Sequence, residues 1–124
     1  MIKTVLVDDD HFHLEDLTRL LKENFKQVEI IAICDSVPDA VKIIDAVRPQ
    51  LVFLDIEMGS HTGFDLLEMV EERDFEVIFT TAYQRYAIQA IKASALDFIE
   101  KPIRKEDLHN ALERYRAKTG KIRM

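Results

Sequence analysis

At 124 residues and 14.4 kDa the chain has the size of one domain, and its 48% hydrophobic and 32% charged residues exclude disorder and low complexity. With 23 acidic against 17 basic side chains the net charge is −6, which argues against gripping a nucleic-acid backbone. Cys34 is the one cysteine, so an internal disulfide and a Cys-based zinc site are excluded; the longest apolar run, Ile30 to Cys34, is too short to span a bilayer.

The first strand is expected over Ile2 to Val7, a β-branched run that stops at Asp8-Asp9-Asp10. Because the chain opens this way rather than with a signal peptide, a cytoplasmic location is expected. Leu14, Leu17, Leu21 and Phe25 then recur at helical spacing. Val28 to Cys34 reads as a second strand, and Ser36 as the cap of a second helix with Pro38 in its first turn, ended by Arg48-Pro49. Leu51 to Leu54 is apolar throughout, so both faces of that strand need cover, as in a central parallel strand. A turn-rich loop from Met58 to Gly63 precedes a third helix carrying Leu66, Leu67, Met69 and Val70. Glu76 to Thr80 forms the fourth strand, Ala87, Ala90 and Ile91 mark a fourth helix, and Leu96 to Ile99 is a short fifth strand. Leu108, Ala111, Leu112 and Tyr115 give the last amphipathic helix. Five strand–helix units in a row predict an α/β fold: a doubly wound, five-stranded parallel sheet with five helices.

In such a sheet, ligands bind beyond the carboxyl ends of the strands. Asp8, Asp9 and Asp10 fall at the first of those ends, Asp55 at the third, Thr80 and Thr81 at the fourth, and Lys101 at the fifth. With strand order 2-1-3-4-5, the first and third strands are neighbours about 4.8 Å apart, so their carboxylates repel unless a cation or a proton intervenes. A hard divalent ion suits oxygen ligands, and Mg²⁺ suits them best where a phosphate shares the site. Lys101 adds a cation and Thr81 a hydroxyl. Together these are the parts of a phosphoryl-transfer site with Asp55 as the nucleophile. Any one of these aspartates alone is as well explained as a helix cap.

In order along the chain, Val7-Asp8-Asp9, Leu54-Asp55-Ile56-Glu57-Met58, Thr81-Ala82 and Lys101-Pro102 resemble the receiver domain of two-component response regulators, from Lys3 to Tyr115. The resemblance implies a flavodoxin-like receiver fold with Asp55 as the phosphoacceptor. It implies Mg²⁺ held by Asp9, Asp55 and the backbone carbonyl of Glu57, with Asp8 acting mainly through water. Thr81 and Lys101 would bind phosphoryl oxygens, and Phe98 stands at the position of the switch aromatic. Gly63 matches the glycine that ends the family's loop, where a turn only glycine tolerates is expected. The implied partners are a sensor histidine kinase and a second copy, met through the face of the fourth helix, fifth strand and fifth helix.

The stretch Thr81-Ala82-Tyr83, Tyr86-Ala87, Ala90, Ala95-Leu96-Asp97-Phe98 and Lys101-Pro102-Ile103 is similar to receivers of the LytTR type, which usually precede a DNA-binding domain. Residues 1–117 are therefore expected to be the receiver, with 118–124 a tail or the start of a linker to an output domain that contacts DNA to regulate transcription. Gly59 stands where the family commonly has proline, so a more mobile loop is expected there. The competing reading is a Mg²⁺-dependent phosphohydrolase of the haloacid-dehalogenase kind, which wants an aspartate where this chain has Glu57 and a cap for which it has no spare residues. A third is a degenerate receiver that binds partners without taking phosphate. His11 and His13, two residues apart, do not share a helix face and make a poor metal pair. Tyr83 and Tyr86 are surface or packing residues of the fourth helix, and Cys34 is expected to be a small buried apolar residue.

Overall fold

The computed structural model describes residues 1–120. Five parallel strands form the main sheet: β1 (Ile2–Val7), β2 (Val28–Cys34), β3 (Leu51–Asp55), β6 (Glu76–Thr81) and β7 (Asp97–Glu100), in the order β2-β1-β3-β6-β7. This is the expected 2-1-3-4-5 arrangement. A small antiparallel hairpin, β4 (Glu57–Met58) with β5 (His61–Thr62), follows β3 outside the main sheet. The helices are α1 (His11–Asn24), α2 (Val37–Val47), α3 (Gly63–Met69), α4 (Ala87–Lys92) and α5 (Lys105–Gly120).

The alternation of side chains along β1, β3 and β6 divides the core into two layers. Leu6, Leu51, Phe53 and Ile78 pack against Leu14, Leu17 and Leu21 of α1 and Leu108, Ala111 and Leu112 of α5. Val5, Val7, Val52, Leu54, Val77 and Phe79 face α2, α3 and α4. All five residues of β3 are buried, as its unbroken apolar run requires of a central strand. Among the described residues no helix is long and apolar enough to cross a membrane.

Local chemistry sets the element boundaries. Asp10 caps α1 by accepting hydrogen bonds from the N–H groups of Phe12 and His13. Ser36 caps α2, and Arg48 ends it in the left-handed region just before Pro49. Thr62 and Asp65 form a reciprocal capping box on α3.

Two expectations need correction, and two others gain detail. The Met58–Gly63 loop is the hairpin, closed by Gly59 at φ +60° and Ser60. A positive φ at the first of two turn residues is the type II′ pattern, which proline cannot adopt, so the departure from the family's proline builds a tight turn in place of a loose loop. Gly63 has an ordinary backbone angle; it is glycine because an added Cβ would lie 2.6 Å from the carbonyl oxygen of Asp55. In α4 only Ala90 is buried, and Ile91 points outward, 74% exposed. α5 continues through residues 118–120 of the expected tail, and 121–124 lie outside the described residues.

Candidate functional site

Parallel pairing aligns β1 with β3 so that Val7 stands beside Leu54. The next residues, Asp8 and Asp55, therefore emerge side by side at the carboxyl end of the sheet. Both are nearly inaccessible, at 2% and 4% exposure. Asp8, Asp9 and Asp55 each bring a carboxylate oxygen to within 4.8 Å of the others. Lys101, leaving β7, reaches across with its Nζ 3.0 Å from Asp8 Oδ2 and 3.4 Å from Asp55 Oδ1. Its backbone N–H donates to the carbonyl of Thr81 at 2.7 Å, tying the fourth and fifth strand ends together.

The two buried carboxylates are driven apart electrostatically. For Asp55, burial pushes the carboxyl up, Asp8 beside it adds to the rise, and Lys101 opposes both; the result is about 7. Burial would raise Asp8 as well, but a hydrogen bond from His13, the Asp10 N–H and the Lys101 ammonium outweigh it and hold Asp8 below the usual carboxylate range. Burial pulls Lys101 down, yet Asp55 and Asp8 together leave it above its ordinary value. One carboxylate thus stays charged while its neighbour is poised to gain or lose a proton near neutrality. Three carboxylate oxygens this close together can hold a hard divalent cation.

Thr81 is buried, and its hydroxyl accepts a hydrogen bond from the Tyr83 N–H at 3.2 Å. Phe98 is half-buried and packs on the core layer shared by α2, α3 and α4, paired in register with Phe79. Glu57 turns its side chain away from the aspartates, to the Tyr86 hydroxyl and to Arg85 Nη2 at 3.1 Å. Only its backbone is left for the part that the resemblance implies. Arg85 also stacks on Tyr83 and Tyr86, 4.3 and 5.0 Å from their ring centroids. Tyr86 is therefore a half-buried link rather than a free surface ring, while Tyr83 is exposed.

Sequence reasoning missed one residue of the pocket. His13 lies in the first turn of α1 with its Nδ1 2.5 Å from Asp8 Oδ2. His11 instead reaches Asp35 at 3.1 Å, so the two histidines do diverge. The findable signal was the first-turn placement, because helical side chains lean back toward the helix N-terminus, here the strand end bearing Asp8. Cys34 is buried as expected.

A family model for the response regulator receiver domain matches residues 4–113. The sensory transduction protein LytT of Bacillus cereus is 37% identical over 118 residues, covering 94% of this chain and 48% of LytT, in agreement with the LytTR-type motifs. The transcriptional regulatory protein BtsR of Salmonella typhi is 34% identical over 123 residues, 98% of this chain and 51% of BtsR. The chain thus spans about half the length of the curated relatives it matches. The response regulatory domain of protein mrkE from Klebsiella pneumoniae superposes with a TM-score of 0.81 at 26% identity, over 90% of this chain and 93% of that one. With sheet order and sequence matches agreeing along almost the whole described length, the chain belongs to the receiver domains of response regulators, the signalling switches of two-component systems.

Proposed function

We propose that this receiver accepts a phosphoryl group on Asp55 from a sensor histidine kinase and passes the event to the face formed by α4, β7 and α5. The observation that carries the reading is the placement of Asp55: buried at the end of the central strand, between an ionised Asp8 and the Lys101 ammonium. A carboxylate oxygen of Asp55 forms the new O–P bond as the P–N bond to the kinase histidine breaks and its imidazole leaves with the electron pair. Lys101 follows the charge onto the phosphoryl oxygens, and the Thr81 hydroxyl donates to one of them. Asp9, Asp55 and the backbone carbonyl of Glu57 would hold Mg²⁺, with Asp8 acting through water. When bound, that ion neutralises the charge shared by carboxylates and phosphoryl oxygens. Return to the free carboxyl by attack of water on phosphorus makes the domain a timed switch rather than a metabolic catalyst.

Movement of Thr81 toward the phosphoryl group, with Phe98 turning inward, shifts the population of the α4–β7–α5 face, through which two copies pair. Residues 1–117 are the receiver unit. The sequence from 118 leads toward an output domain that contacts DNA and regulates transcription; the half-length match to LytT and BtsR supports this. The test is intact mass after incubation with acetyl phosphate, with and without Mg²⁺, on the wild type and Asp55→Asn. A Mg²⁺-dependent gain of one phosphoryl group, labile to hydroxylamine and absent from the variant, is expected. No gain, with no phosphate released into solution, sinks the reading.

A further inference from the structure

Both carboxylate oxygens of Asp8 are already engaged. Its Oδ1 receives the Asp10 N–H at 2.9 Å, and its Oδ2 is shared between His13 Nδ1 at 2.5 Å and Lys101 Nζ at 3.0 Å. Lys101 therefore has two competing duties: it satisfies the buried Asp8 and it must also serve a phosphoryl group on Asp55. If Lys101 were the only partner of Oδ2, its departure would strand a charged oxygen in a pocket from which water is largely excluded. A second donor removes that penalty.

We propose that His13 is a positioning residue of the phosphoryl-transfer site, its imidazole N–H holding Asp8 in place so that Lys101 is free to turn to the phosphoryl group. The inference rests on phosphoryl acceptance at Asp55 and deepens it. Two observations beyond the short contact support it. The His13 side chain is only 10% exposed, enclosed beside Asp8 rather than hanging in solvent. Its Nε2 is buried with no hydrogen-bond partner, a cost that an aliphatic side chain in the same helical position would avoid. What the imidazole returns for that cost is its Nδ1 bond to Asp8. An ionised carboxylate only accepts, so the proton sits on Nδ1.

Two variants and one wild-type spectrum test this. His13→Leu fills the space and removes the donor; His13→Asn keeps a side-chain N–H at the distance of Nδ1. Single-turnover phosphorylation by acetyl phosphate is expected to slow about tenfold in the leucine variant, and calorimetry to show Mg²⁺ bound about threefold more weakly by the unphosphorylated protein. The asparagine variant restores both toward wild type. A folded leucine variant within about twofold of wild type on both measures, or an asparagine variant as impaired as the leucine one, overturns the proposal. If the leucine variant does not fold, a long-range ¹H–¹⁵N spectrum of the wild type decides: the Nδ1-protonated ring supports the proposal and the Nε2-protonated ring overturns it. Failure of wild type itself to take phosphate sinks the Asp55 reading instead, a result distinct from a phosphorylated protein indifferent to His13.

Discussion

The helices on the two faces of the sheet are built to different standards, as α1 and α5 on one face and α4 on the other show. α1 and α5, of 14 and 16 residues, bury leucines from successive turns against one face of the sheet, and α1 starts on a side-chain cap from Asp10. α4 has six residues, buries Ala90 alone, grows out of a single 3₁₀ turn (Gln84–Tyr86) with no side-chain cap, and shows Ile88 and Ile91 to solvent at 68% and 74% exposure. Segments with few buried apolar contacts occupy the low end of a protein's range of local stability. The contrast is between α1, which carries His13 beside Asp8 and is firmly anchored, and α4, which is held weakly and is the part of the proposed α4–β7–α5 face that can shift at least cost.

The largest expected effect breaks the anchored side. Leu21→Ala, at a fully buried position of α1, is expected to cost about 3 kcal/mol in urea unfolding. Gly63→Ala comes next, at about 2 kcal/mol, because its Cβ would collide with the Asp55 carbonyl and the chain must shift. A loss below the ordinary scatter of surface substitutions would show that the hairpin yields without disturbing the acceptor strand.

The third prediction concerns pH. Folded Asp55, raised to about 7 from 3.8, favours its protonated form, so its contribution to stability is complete below its unfolded value and is lost as pH rises through 7. Asp8, lowered, acts in the opposite direction and at lower pH. In chelator-treated protein, stability should fall by about 2 kcal/mol between roughly pH 5 and 8, and Asp55→Asn should flatten that slope. Asp10→Ala, removing the α1 cap, should cost about 1 kcal/mol by the same urea assay. The smallest effect is on the loose side: Ile91→Ser should change stability by no more than about 0.5 kcal/mol, while reducing any phosphorylation-dependent dimer seen by sedimentation. A large stability loss there would erase the contrast between the two sides.

What was legible in the sequence follows from range. The strands came from β-branched runs and turn residues that act over a few positions; with the order 2-1-3-4-5 taken as a condition, the strand-end rule then brought Asp8, Asp55, Thr81 and Lys101 together without any contact being known. The hairpin escaped because its strands are two residues each, too short for alternation to register. α4 was found where Ala87, Ala90 and Ile91 marked it, but a period nearly as apolar outside as inside gave no sign of which way Ile91 points. The link from Glu57 to Arg85 and Tyr86 spans 28 and 29 residues and depends on side-chain reach, which no local pattern encodes. His13 was set aside by a correct rule about its neighbour His11, applied to the wrong pair: its partner stands behind it, on the strand.

The Thr81 hydroxyl has one further property. In the hydrogen bonds of the described residues it only accepts, from the Tyr83 N–H, so its own proton remains available to an anion beside Asp55. The Tyr83 ring in turn lies under Arg85, whose guanidinium both stacks on it and pairs with Glu57. The contacts that start at Thr81 thus close a circuit through Tyr83 and Arg85 back to Glu57, two residues from Asp55.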